Sequence, residues 1–79
     1  MTLKELNELI DKAIENAAMR KNALPKTNAL NAEYSLGAIF AYIDLIWKMY
    51  GIDAMIETND RIGHAVKILM ERVENIYNA

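Results

Sequence analysis

Cysteine is missing altogether from this chain of 79 residues, proline occurs once and glycine three times. Without cysteine there is no disulfide framework, no thiolate zinc site and no cysteine nucleophile, so packing alone must hold the chain together. Serine and histidine are nearly as scarce, with Ser35 and His64 the sole examples. Nothing local brings them and an acid into the arrangement a triad needs, and Gly37, Gly51 and Gly63 are too far apart to form a phosphate-cradling loop. An enzyme is not expected.

No charge of one sign dominates either. Nine Lys and Arg stand against 11 Asp and Glu, for a net charge of −2. Affinity for a phosphate backbone rests on clustered positive charge, so nucleic acid is not expected as a partner. Long apolar runs are also absent: the greasiest stretch, Leu36 to Trp47, contains Asp44 and falls short of the roughly 20 residues of a membrane span. The start, Met1-Thr2-Leu3-Lys4-Glu5, is charged where a secretory signal is apolar. These features lead to the expectation of a cytoplasmic protein with no membrane span.

What the chain does hold is helix-forming residues and 53% hydrophobic side chains. The pattern predicts an all-α fold, a three-helix antiparallel bundle or helical hairpin with a short N-terminal helix, as a single domain over 1–79. The helices are placed at about 3–22, 31–50 and 53–77. Thr2 and Glu5 have the spacing of a capping box at the first start. Arg20 and Lys21 are expected in its last turn, complementing the helix dipole. Leu24-Pro25-Lys26-Thr27-Asn28 makes the first break, with Asn28 or Asn31 as N-cap of the second helix, because the residue before proline avoids helical geometry. Gly51 supplies the second break, followed by Asp53 as a cap.

The second helix is apolar over most of its circumference, which demands cover on several sides. In the third, Ile52, Asn59, Val66 and Val73 fall at heptad position a, and Met55, Ile62, Leu69 and Ile76 at d, the pattern of a helix–helix seam. Ile56, Gly63, Met70 and Tyr77 at position e widen that face. This is more apolar surface than three short helices can cover, so a homo-oligomer is expected. Its interface is placed on Phe40, Ile43, Trp47, Asn59, Ile62, Val66, Leu69 and Val73.

Single residues carry two readings each. Asn59 either fixes register across a seam or, with Thr58 and Asp60, caps a helix that starts late. Asp44 is either a buried carboxylate or, as the i,i+4 spacing to Lys48 favours, half of a solvated pair. His64, near Glu57 and Asp60, reads as a surface histidine rather than a metal ligand. Tyr34 and Tyr77 are the tyrosines expected at the surface. No metal or cofactor is implied.

The functional expectation is a small non-enzymatic protein that acts by binding another macromolecule, as an adaptor, regulator or inhibitor of the kind found among phage and mobile-element accessory proteins. The alternative is an oligomeric binder of an anionic small molecule such as a nucleotide. It would use Arg20, Lys21, Lys26, Thr27, Asn28 and Asn31 around the N-terminus of the second helix, where free backbone amides attract anions.

Overall fold

The computed structural model describes residues 1–77, and among these the fold is all-α. Helix α1 spans Leu3–Asn16, α2 spans Pro25–Tyr50 and α3 spans Ile52–Tyr77. The capping box forms as expected: the Glu5 N–H donates to Thr2 Oγ1 at 3.1 Å, and the Thr2 N–H donates to Glu5 Oε1 at 3.3 Å. These bonds favour the charged carboxylate, the one to the Thr2 backbone most, and lower the pKa of Glu5.

Helix α1 is shorter than the sequence suggests. It ends at Asn16 rather than near residue 22, with Ala17 closing the last turn. The reason lies downstream. Proline occupies the first position of α2, where its missing N–H costs nothing, so α2 begins at Pro25 rather than at Asn28 or Asn31. Leu24 before it is extended, as the ring requires. The chain must therefore reverse within 18–24, and residues of good helix propensity are drawn into the loop. Arg20 and Lys21 consequently do not sit in the last turn of α1, which holds no basic residue. The positive charge comes instead from α3, where the Arg72 guanidinium donates to the carbonyl of Ala17.

The α2–α3 connection is the single residue Gly51, at φ 93°. That left-handed region is where the sequence analysis places a glycine. Helix α3 then starts at Ile52, so Asp53 lies in its first turn and is not a separate cap. Helices α2 and α3 form a long antiparallel hairpin, and α1 packs chiefly on α2. The core is built from Leu6 and Ile10 of α1, Leu36, Ile39 and Ile46 of α2, and Ile62 and Leu69 of α3, with Ala13, Ala17 and Ala32 between them. The alanines let α1 approach closely at its C-terminal end.

Candidate interaction surface

The position of α1 is fixed by polar contacts on one flank of the hairpin. Arg61 Nη1 lies 2.6 Å from Asp11 Oδ1, and its Nη2 donates to Asn7 Oδ1 at 2.9 Å. The buried Thr58 hydroxyl donates to the same Asn7 oxygen at 3.2 Å, while Asn7 Nδ2 donates to the carbonyl of Leu3. The flank of α3 that carries Thr58, Arg61 and Arg72 therefore belongs to α1.

Helical geometry then dictates what the opposite flank carries. At 3.6 residues per turn, the stripe Ile52, Ile56, Asn59, Gly63, Val66, Met70, Val73 and Tyr77 runs down the side of α3 turned away from α1. On α2 the corresponding edge carries Glu33, Gly37, Phe40, Asp44 and Trp47. Tyr77 and Glu33 show that these two edges adjoin, because the Tyr77 hydroxyl donates to Glu33 Oε2 at 3.0 Å. That bond, followed by the nearby negative charge, raises the pKa of Tyr77.

This face has no cover in the monomer. Phe40 is 49% exposed, Trp47 52%, Ile52 56% and Met70 52%. Exposed apolar side chains are not confined to this stripe, since Leu30, Tyr34, Leu45 and Met49 of α2 are exposed outside it. The carboxylates at its edge are matched within the chain: Glu33 accepts from Tyr77, and Asp44 Oδ2 lies 2.7 Å from Lys48 Nζ. The Asp44–Lys48 pair is the solvated i,i+4 pair that the sequence favours. On α2 the stripe alternates in character, with Glu33 and Asp44 in line with Phe40 and Trp47.

The seam placed at a and d needs correction. Ile62 and Leu69, expected at an interface between chains, are 3% and 4% exposed and belong to the core of a single chain. Asn59 is exposed, and its neighbour Thr58 is the polar residue turned inward. The inner face of α3 is thus rotated toward α1 relative to the heptad reading. The e positions, expected to be buried, stand on the surface: Ile56, Gly63, Met70 and Tyr77 are all exposed. Phe40 and Trp47 remain on the outer face, with the half-buried Ile43, Val66 and Val73 at its floor.

The residues of the anion-binding alternative are only partly assembled. Arg20, Lys21, Lys26 and Thr27 are exposed around the α1–α2 loop, and Asn31 lies half-buried within α2. Asn28 is 4% exposed, and both ends of its side chain are engaged. Its Oδ1 accepts from the Arg20 N–H at 3.2 Å, and its Nδ2 donates to the Arg20 carbonyl at 3.3 Å. It ties the loop to α2 and offers nothing to a ligand. Ser35 is buried and His64 exposed. Among the described residues no group of three His, Asp or Glu side chains is placed to hold a metal ion, and no helix is long and apolar enough to cross a membrane.

Set against protein-family models, curated proteins and solved structures, the chain shows no significant match to any of them.

Proposed function

We propose that this chain is a small, non-enzymatic helical protein that acts by binding another macromolecule, as an adaptor, regulator or inhibitor, and that the uncovered α2–α3 face is its binding surface. One observation carries the reading: Phe40 and Trp47 stand half exposed on one helix beside the exposed Ile52, Ile56 and Met70 of the other. Aromatic side chains of this kind are the common anchors of protein interfaces, where they fill pockets in the partner. The alternative of an anionic small molecule draws less support, because Asn28 is spent on the loop.

The test is a photoreactive phenylalanine analogue at position 40, irradiated in the cells that make the protein, with the same analogue at the exposed Glu8 of α1 as control. Discrete adducts with a different protein at position 40, and none at position 8, are expected. Equal adducts at both positions, or none at position 40, would sink the reading.

A further inference from the structure

The end of the bundle formed by the α1–α2 loop differs in charge from the rest of the chain. Between Glu15 and Glu33 there is no acidic residue, while the same stretch holds Arg20, Lys21 and Lys26 in a chain of net charge −2. All three are exposed, and none has an ion-pair partner among the described residues. The loop also carries Leu24, 72% exposed, and Met19, 67%, the two most exposed large non-aromatic apolar side chains among those residues. Elsewhere exposed apolar residues lie beside acids, as Trp47 does with Asp44, Ile52 with Asp53 and Met70 with Glu71. Met19 and Leu24 lie beside the three cations instead. The one acid that shares a groove with Met19, Glu71, shares it with Arg72 as well.

The shape of the loop is set within the chain. The Arg20 carbonyl accepts from the Ala23 N–H at 3.2 Å as well as from Asn28, which closes a turn with Lys21 and Asn22 at its corner. Pro25 and the extended Leu24 then lead the chain into α2. With the main chain of Arg20 held at both its N–H and its carbonyl, the side chains of the loop are presented to solvent from a fixed support. Docking of a support fixed in this way loses little further conformational freedom.

We infer that this end of the bundle docks on the surface of an anionic lipid bilayer. Met19 and Leu24 enter the boundary between headgroups and acyl chains, and Arg20, Lys21 and Lys26 lie among the phosphates. Charge complementarity commits the surface to this occupant: an anionic bilayer is negative at its surface and apolar just beneath, and the loop offers cations around apolar tips. Nucleic acid or free phosphate would engage the cations and leave Leu24 without a partner. The chain lies on the bilayer and does not cross it, since no helix among the described residues is long and apolar enough. The end-on pose leaves the α2–α3 face open, because Trp47 lies about 33 Å along α2 from Pro25. The inference is therefore independent of the function proposed for that face.

Co-sedimentation of the full chain with vesicles tests the inference. Retention on mixed phosphatidylserine and phosphatidylcholine vesicles is expected, with none on phosphatidylcholine alone. Arg20→Gln/Lys21→Gln/Lys26→Gln should weaken retention about 100-fold, at about fivefold for each cation near the surface. Met19→Ser/Leu24→Ser should weaken it by about tenfold or more through the lost apolar burial. Lys4→Gln/Lys48→Gln/Lys67→Gln makes the same change of charge elsewhere and should cost less than about threefold, because distant charges are screened. Leu24→Trp in a Trp47→Phe chain, whose single indole then stands at position 24, should be quenched by phospholipid brominated on its acyl chains, whereas Trp47 of the native chain should not. No retention, equal losses in the two triple variants, an unquenched indole at 24, or a quenched Trp47 would each overturn the inference. Tighter binding to single-stranded RNA than to the vesicles would also overturn it, by assigning the cations to nucleic acid.

Discussion

Asn28 holds the main chain of Arg20 from both sides, accepting from its N–H and donating to its carbonyl. The amide thus acts as a β-like partner for one loop residue, delivered from the first turn of α2. Because Asn28 is almost fully buried, deleting it strands two main-chain groups near the core. Asn28→Ala should lower stability by about 2–3 kcal/mol, the cost of two lost hydrogen bonds with partly desolvated partners. Asn28→Asp keeps the acceptor for the Arg20 N–H but loses the donor, so it should fall between wild type and alanine. Urea unfolding followed at 222 nm measures all three, and an alanine variant as stable as wild type would show that the clasp contributes nothing.

Asn7, Thr58 and Arg61 form a polar network that joins α1 to α3. The ion pair at its outer end, Arg61 with Asp11, has both side chains close to half exposed. Asp11→Asn should therefore cost well under about 1 kcal/mol. The inner end is different, since Thr58 is buried and Asn7 supplies the acceptor for its hydroxyl. Asn7→Ala should cost roughly 1–3 kcal/mol by leaving that hydroxyl without a partner. In the Asn7→Ala/Thr58→Val double variant the two losses should not add, because valine has no hydroxyl to strand. Strict additivity in a double-mutant cycle would contradict the coupling.

The capping box makes the N-terminus of α1 sensitive to acid. The folded-state pKa of Glu5 lies below its unfolded value, so the contribution of the charged carboxylate is fully present above the unfolded pKa and is lost as pH falls through the folded one. Fraying of α1 should consequently set in only as pH falls below the ordinary glutamate range, visible as lower amide protection factors at Thr2 and Glu5. Thr2→Ala removes the hydroxyl bond to the Glu5 carboxylate but keeps the larger contribution of the main-chain N–H at position 2, so Glu5 in that variant should titrate only part of the way back toward an ordinary glutamate by NMR. An unshifted titration would rule out the Thr2 hydroxyl as a cause.

How far the sequence reaches depends on whether neighbours in sequence or neighbours in space decide the outcome. The capping box at Thr2 and Glu5 and the left-handed Gly51 are local, and both follow from residue type and spacing. The end of α1 is not local. Ala17, Ala18 and Met19 are good helix formers, and what stops the helix is the reversal needed to reach Pro25 and the hold of Asn28 on Arg20.

The face of α3 shows the same division. The alternation of threes and fours fits two adjacent stripes, one through Thr58, Ile62 and Leu69 and one through Asn59, Gly63 and Met70. The packing of α2 along α3, together with the seat of α1, decides which stripe turns inward. An outer position for Phe40 and Trp47 could be expected because α2 has more apolar positions than one neighbour can cover. Ile62 and Leu69 could not be told from them by pattern alone.

The hairpin turns on one dihedral angle. If the residue at 51 took ordinary helical geometry, the hydrogen-bond ladders of α2 and α3 would join into a single rod of about 80 Å from Pro25 to Tyr77. Such a rod would strip Ile39, Ile46, Ile62 and Leu69 of their partners within the chain. Two rods lying side by side could restore every one of those contacts by exchanging halves, with no change in which residues touch. The absence of a side chain at Gly51 is thus the device that keeps the folding unit and the covalent unit the same, and its loss would convert a compact chain into an intertwined, swapped pair.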